Sequence, residues 1–414
     1  MIPMTLQKFQ NFKDFIKEDC DFCGLCFHKC PVLNLPLELA KKEIKSIVEE
    51  SKSEYILTKC TSCMACNNYC PSDCHPYNLI LQRWNERYLK NGLPYRAHLA
   101  LPYDFPNIHS IIMERLPKEE KEWIKEWEAN WKNPKNQEIM LYSGCNLLIQ
   151  PYILKSKLFD DITIFGSTEL CCGEPLYRMG CLDAEEQVAR HLQKEFSNMG
   201  FKKLVLPCLA GYHLFKEVYP DLFDVKFDIE IIWVIDWLLE KIKNYDLEIK
   251  PLNLRAVIHD SCWPKVSGDY FFNRVREIIK LCGIEIVEAE HNCENALCCG
   301  MGAAAASYSL IYALITARKR LKEFKKSKAD VIIDYCGGCN WLFSVAQRLS
   351  RKKMPIYNLI EILQMAIGET PLHRTNKRGR KMFYSLVPKI IPKYLKRKKY
   401  WIENIMDFQV PAQK

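Results

Sequence analysis

At 414 residues the chain is long enough for two or three domains with a sizeable core, and a hydrophobic share of 48% excludes a disordered polypeptide. Its net charge of +9 is unevenly spread: Pro371 to Tyr400 holds eleven Lys or Arg and no acid, which leaves the remainder near −2 and excludes a chain-wide nucleic-acid surface. An uninterrupted apolar run of about 18 residues is absent, so no transmembrane helix is predicted.

Twenty-one cysteines pose the first question, disulfides or metal. The N-terminus lacks an apolar core followed by small residues, so no secretory leader is expected. Cys-x-x-Cys spacings in a chain that stays inside the cell favour metal. The expected location is the cytoplasm.

Met1 to Lys17 carries Leu6, Phe9, Phe12, Phe15 and Ile16 at spacings that predict a short amphipathic helix. Cys20-x-x-Cys23-x-x-Cys26-x-x-x-Cys30-Pro31 follows, and the same run returns as Cys60, Cys63, Cys66, Cys70 and Pro71. This is bacterial ferredoxin spacing, in which the fourth cysteine serves the other cluster. One cubane [4Fe–4S] cluster is therefore expected on Cys20, Cys23, Cys26 and Cys70, and a second on Cys60, Cys63, Cys66 and Cys30; a pair of zinc sites is the weaker alternative. Between the runs, Leu37, Ala40, Ile44, Ile47 and Val48 predict a helix. Cys74 is surplus and reads as a packing cysteine. Tyr77 to Asn91 continues as a helix ended by Gly92 and Pro94. Leu93 to Asn136 reads as a linker with one amphipathic helix near Glu119 to Trp131, whose Trp123, Trp127 and Trp131 suit core contact or a partner surface.

From Gln137 one unit occurs twice. Ile139 to Tyr142 leads to Cys145, Ile162 to Phe165 towards Cys171-Cys172-Gly173, and Leu204 to Leu206 to Cys208. The second copy has Ala256 to Ile258 before Cys262, then Cys298-Cys299-Gly300, then Val331 to Ile333 before Cys336-Gly337-Gly338-Cys339. Equivalent landmarks are offset by 117, 127 and 128 residues, so one loop is shorter in the first copy. Apolar runs alternating with helical periodicity predict α/β units with parallel sheets, here two tandem repeats related by pseudo-twofold symmetry behind an N-terminal helical ferredoxin-like module. The two cysteine sets are expected to face a shared cleft. Adjacent thiolates such as Cys298 and Cys299 chelate one tetrahedral ion poorly and suit a multi-iron object; a vicinal disulfide or a plain buried pair is the other reading. Gly300, Gly302 and Ala303 to Ala306 leave room for close approach of backbone. Cys181, Cys282 and Cys293 lack motif partners and read as buried structural cysteines. The predicted segments are a ferredoxin domain over 1–92, a linker over 93–136, repeats over 137–250 and 251–366, and a basic tail over 367–414.

The two copies resemble the CCG (cysteine-rich) domain of heterodisulfide reductases, and the chain up to about residue 366 is similar to the D subunit of those enzymes. The resemblance implies a noncubane [4Fe–4S] cluster on Cys262, Cys298, Cys299, Cys336 and Cys339. In the first copy Gly211 stands where the family has its fifth cysteine, so Cys145, Cys171, Cys172 and Cys208 are left for a zinc ion, an altered cluster or nothing. His259-Asp260-Ser261-Cys262 is similar to the family's His-Asp-Pro-Cys, with Ser261 in place of proline; His259 either protonates a leaving thiolate or makes a structural hydrogen bond. The activity implied is reduction of a small disulfide, electrons passing from a partner such as a membrane cytochrome b through the two cubanes. The alternative implied by the same resemblance is the electron-transfer subunit of a flavin-dependent glycolate or glycerol-3-phosphate dehydrogenase, with a flavoprotein partner doing the chemistry.

In the tail, His373 to Lys399 mixes cations with Phe383, Tyr384, Leu386, Ile390, Ile391, Tyr394 and Leu395. Pro388 and Pro392 are expected to interrupt any long helix. The segment suits peripheral contact with anionic lipid at the inner face of the membrane or an acidic partner, and equally a solvated tail; nucleic acid is not an expected partner.

Overall fold

The computed structural model describes residues 14–102, 106–135, 137–244, 247–350, 353–394, 396–403 and 405. Most of the predicted N-terminal helix lies outside the described residues, and Asp14 to Lys17 are not helical.

Two helices frame the N-terminal cysteines. Leu37–Glu50 buries Ala40, Ile44, Ile47 and Val48 along one face. Its Glu43 is also buried and accepts hydrogen bonds from Ser53 Oγ (2.6 Å) and from the backbone N–H groups of Glu54, Tyr55 and Ile56, anchoring the turn that enters Cys60. Pro76–Asn91 starts with proline, which has no N–H to leave unpaired, and ends at Gly92 with φ 64°. A Cβ at Gly92 would lie 2.7 Å from the Tyr400 carbonyl, because strand β1 (Leu93–Pro94) pairs antiparallel with β10 (Lys399–Tyr400).

The repeats form two parallel sheets of the same strand order. Strands β2 (Ile139–Tyr142), β3 (Thr163–Phe165), β4 (Lys203–Leu206) and β5 (Glu230–Trp233) lie in the order β3-β2-β4-β5. Strands β6 (Arg255–His259), β7 (Glu285–Ile286), β8 (Val331–Asp334) and β9 (Ile356–Asn358) lie in the order β7-β6-β8-β9. Continuous apolar runs such as Val331-Ile332-Ile333 are buried throughout, as strands covered on both faces require. The first copy crosses from β2 to β3 through short turns at Pro151–Leu154 and Lys157–Phe159, whereas the second inserts the helix Tyr270–Leu281 between β6 and β7. That helix is the structural origin of the unequal offsets. Apolar side chains from the N-terminal helices, both sheets and the C-terminal helix join one contiguous core.

The C-terminal segment departs from expectation. A single helix, Thr375–Tyr394, runs through both Pro388 and Pro392. It is held upstream of the prolines by tertiary contacts that outweigh local propensity. Gly379 lies where a Cβ would meet the Ser344 carbonyl at 2.4 Å, so the helix crosses Gly337–Ala346 in direct backbone contact. Met382 and Leu386 are buried. The buried Arg378 donates to Ile149 O (3.0 Å) and pairs with the fully buried Glu120, which Arg374 also reaches at 2.5 Å. Two of the eleven cations are thus neutralised inside the fold. Among the described residues, no helix is long and apolar enough to cross a membrane.

Candidate metal centres

Both N-terminal cysteine runs wrap the same way. Phe22 and Ser62 stand at equivalent places in the two runs and take left-handed φ of 57° and 56°, and Gly24 and Met64 follow at 74° and 62°. Such a turn aims successive N–H groups at the sulfurs, as in Ser62 N to Cys60 Sγ at 3.3 Å. Cys20, Cys23, Cys26 and Cys70 line one cavity, with the buried Cys74 packed against them. Burial, with Cys70, Cys23 and Cys20 as charged neighbours, pushes the Cys26 thiol up. The Cys66 thiol is raised by burial and by Cys60, Cys26, Cys63 and Cys30. The fold thus brings the fourth cysteine of each run to the other set. Cys74 is raised to about 12 by burial and by Cys70.

In the second repeat each strand end delivers its cysteine. After β6, Asp260 is buried and accepts both Arg276 Nη groups at 3.0 Å, Cys293 N at 2.8 Å and Tyr335 Oη at 3.4 Å. This clamp fixes the loop of Cys262 against the approach to Cys298. Gly300 has φ 104°, and a Cβ there would lie 2.3 Å from Ala313 O, so only glycine permits the turn. The turn lets Gly300 N donate to Cys298 Sγ (3.2 Å) and Met301 N to Cys299 Sγ (3.5 Å). Cys336 is the N-cap of the helix Gly337–Ala346, where free N–H groups favour thiolate, and Cys339 sits in the first turn, where hydrogen bonds with Cys299 and Cys336 and then burial push its thiol well up. A His259 ring nitrogen and the sulfurs of Cys299 and Cys339 all lie within 4.8 Å of one another.

The electrostatics follow from these contacts. Hydrogen bonds from Cys298 and then Cys339 hold the Cys299 thiol well below its usual range, and one from Cys339 lowers Cys336. Burial pushes Cys262 up to about 11, opposed by the Arg178 guanidinium. Burial also lowers His259, keeping the ring neutral, with the Cys299 sulfur opposing that shift. His259 Nδ1 faces Arg320 Nε at 3.5 Å, the ring stands edge-on to Phe343 at 4.7 Å, and Nε2 finds no nitrogen or oxygen partner among the described residues.

The first repeat gathers Cys145, Cys171 and Cys172 by direct sulfur contacts, and Cys208 beside Cys172. Gly211 is helical, and a Cβ there meets only Leu206 at 3.6 Å and Phe215 at 3.9 Å, ordinary contacts. The two sets adjoin: Cys336 raises the Cys208 thiol after burial does, Gln150 Nε2 donates to Gly337 O at 2.9 Å, and Trp341 Nε1 donates to Asn146 Oδ1 at 3.1 Å. The second set also adjoins the ferredoxin-like run, since Cys63, Ala65 and Cys298 pack in one small apolar cluster flanked by Cys262.

Of the cysteines without motif partners, Cys181 and Cys282 are fully buried as expected. Cys293 is only partly buried, has φ 47°, and its N–H serves the Asp260 clamp. Sequence reasoning passed over Arg178, whose side chain is 1% exposed and whose Nη2 lies 3.1 Å from Cys262 Sγ. The only available signal was its i,i+4 spacing from Glu174.

The residues present suit iron–sulfur clusters: two four-sulfur sets with wrapped N–H donors, and a five-sulfur set in which adjacent cysteines have separate N–H partners. Comparison with known proteins agrees. The cysteine-rich CCG domain matches residues 152–212 and 256–344, and a 4Fe–4S dicluster domain matches residues 13–71. The chain is 23% identical over 345 residues to the D subunit of the dihydromethanophenazine:CoB--CoM heterodisulfide reductase of Methanosarcina mazei, covering 80% of this chain and 82% of that one. The B subunit of the fumarate reductase (CoM/CoB) of Methanothermobacter marburgensis is 22% identical, covering 87% of this chain and 75% of that one. EtfAB:quinone oxidoreductase of Syntrophomonas wolfei is 24% identical over 70% of this chain, which spans only 49% of its length. Fold, sites and relatives define an iron–sulfur oxidoreductase with a dicluster domain and a cysteine-rich domain present twice. Within that class, the chain is similar over about four fifths of its length to D subunits of heterodisulfide reductases from two Methanosarcina species.

Proposed function

We propose that this chain reduces a small disulfide at the second repeat. On this reading Cys20, Cys23, Cys26 and Cys70 hold one cubane cluster, Cys60, Cys63, Cys66 and Cys30 the other, and Cys262, Cys298, Cys299, Cys336 and Cys339 a noncubane cluster. The observation that carries the proposal is the contact of Cys63 with Cys298, which puts the dicluster module directly against the five-sulfur set. When bound, such a cluster supplies soft iron that accepts a thiolate and passes electrons. The chain's own residues hold the sulfurs in place and set the His259 ring beside Cys299 and Cys339; a product thiolate there takes a proton that comes from solvent, relayed by a ring that gains one proton at one nitrogen as it gives up another. Two electrons and two protons convert one disulfide to two thiols. The electrons come from a redox partner, a cytochrome b or a flavoprotein, and exposed cations on Thr375–Tyr394 serve contact with a membrane or acidic surface. The two repeats, 137–250 and 251–366, are related by pseudo-twofold symmetry with their cysteine sets facing.

The test is turnover of a disulfide with a reduced viologen as donor, beside iron analysis of anaerobically prepared protein. About twelve irons per chain and turnover that Cys339→Ser abolishes support the proposal; saturation near eight irons with no turnover rejects it. Rejection favours the second reading, an electron-transfer subunit serving a flavoprotein dehydrogenase. The observation behind that reading is Gly211, which leaves the first repeat one sulfur short.

A further inference from the structure

The buried guanidinium of Arg178 is the strongest feature not absorbed by the cysteine motifs. It sits in the helix Glu174–Met179, directly after the Cys171-Cys172-Gly173 turn of the first repeat, yet none of its named polar contacts is with a first-repeat cysteine. Nη2 points at Cys262 Sγ in the second repeat, at 3.1 Å. Nη1 donates to the carbonyl of Ser62, the residue just before Cys63, and Nε donates to Glu174. The guanidinium also lies over the Trp263 ring, 5.4 Å from its centroid. One side chain therefore joins the second set and the dicluster loop from a third element.

The second repeat leaves space for it. A Cβ at Gly302 would lie 2.5 Å from Thr61 O and 2.9 Å from Arg178 Nη1, so glycine there admits both the dicluster loop and the cation. The arrangement is not returned. By the 127-residue offset the counterpart of Arg178 is Ala305, and the counterpart of Glu174 is Met301. A second buried cation, Lys265, donates to Ala296 O at 2.6 Å, two residues before Cys298, and pairs with no carboxylate among the described residues. Burying positive charge is costly unless an anion answers it. Glu174 answers part of the Arg178 charge, and thiolates beside Nη2 and Lys265 would answer the rest.

We propose that Arg178 is a positioning residue supplied by the first repeat to the second repeat's centre, orienting Cys262 and setting that centre's reduction potential through its fixed positive charge. The inference rests on the reading that the second repeat holds a cluster. A fixed cation beside a redox centre favours the state that has gained an electron, and charge and hydrogen bonds at the sulfurs are among the known determinants of cluster potential. It gives the four-sulfur first repeat a function that needs no metal of its own.

Redox titration followed by electron paramagnetic resonance on the full chain tests this with three variants. Arg178→Gln is expected to shift the potential of the signal that Cys339→Ser removes to a more negative value, and Arg178→Lys to shift it less. Glu174→Gln takes away the carboxylate that offsets Arg178 while leaving the guanidinium in place, and is expected to shift the same potential the opposite way. Glu174 is partly exposed, so this variant keeps the test decisive if Arg178→Gln does not fold. Opposite shifts support the proposal. A wild-type signal with an unmoved potential in Glu174→Gln overturns it and leaves the cluster reading standing. Absence of any Cys339-dependent signal from iron-replete wild type overturns both.

Discussion

In the first repeat, β4 delivers Cys208 to a helix that continues with Gly211; in the second, β8 delivers Cys336 to a helix that continues with Cys339. The sheets behind them have the same strand order, and both Cys-Cys-Gly turns use a left-handed glycine, Gly173 at 71° and Gly300 at 104°. What differs is what surrounds the sulfurs. The second set has five cysteines, a neutral histidine and contact with the dicluster module; the first has four cysteines and a buried Glu185 whose carboxyl is pushed well up by burial and by Glu174. A duplicated scaffold can keep its architecture while only one copy carries the fifth cysteine, because the strands fix where loops emerge and not which side chains they carry.

Ligand loss should break the comparison most sharply. Cys339→Ser is expected to remove the second-repeat cluster and disulfide turnover outright, while Cys172→Ser preserves both; iron analysis and viologen-driven turnover read the pair. If Cys172→Ser proves the inactive one, the assignment must be reversed. Both variants should retain the dicluster spectra, since those eight cysteines lie between Cys20 and Cys70.

Stability should respond next, and unequally, because the C-terminal helix covers the second repeat's Gly337–Ala346. Arg378→Met leaves Glu120 with only Arg374 in a buried site, and a loss of roughly 3 kcal/mol is expected by denaturant titration. An unchanged midpoint would mean that Arg374 alone satisfies the carboxylate.

Acid should act at the first repeat. His109 is buried beside Asn146 and its pKa is lowered by burial to about 4 from 6.5, so the folded chain resists a proton that the unfolded chain takes. Stability is therefore expected to fall by about 3 kcal/mol as pH drops from 6.5 to 4, and His109→Gln should flatten that decline. A decline that persists in the variant would assign it to other groups.

The smallest effect sharpens the comparison by erasing it. Gly211→Cys should cost less than about 1.5 kcal/mol, since its Cβ meets only ordinary contacts. It is expected to leave turnover intact and to raise iron content above wild type. Unchanged iron would show that a fifth sulfur is not what the first repeat lacks.

Much of this was readable from the chain itself. Short apolar runs ending at cysteines announced β2, β4, β6 and β8, and the ferredoxin spacing announced the exchange of Cys30 and Cys70 between sets. Arg178 was not readable. Four residues after Glu174 it looks like half of a solvent-exposed helical pair, and its burial depends on Cys262, 84 residues away, and Ser62, 116 away. The C-terminal helix was misread for the converse reason: Pro388 and Pro392 are local signals, whereas Gly379 against Ser344 and Arg378 against Glu120 are distant ones. Cys293 shows the same limit, because its exposure is set by the Asp260 clamp and not by its own neighbours in sequence.

The crossing of Gly379 over Ser344 bears on how the molecule is made. A ribosome releases the N-terminal cysteines early, and by Cys70 both four-sulfur sets are complete. The helix bearing Cys339, in contrast, is buried along its whole length, and one wall of its housing is the segment Thr375–Tyr394, which is synthesised after it. The order of synthesis therefore sets an order of closure: the N-terminal cysteines are all present before either repeat is made, whereas the helix bearing Cys339 gains its cover only when Thr375–Tyr394 docks on it.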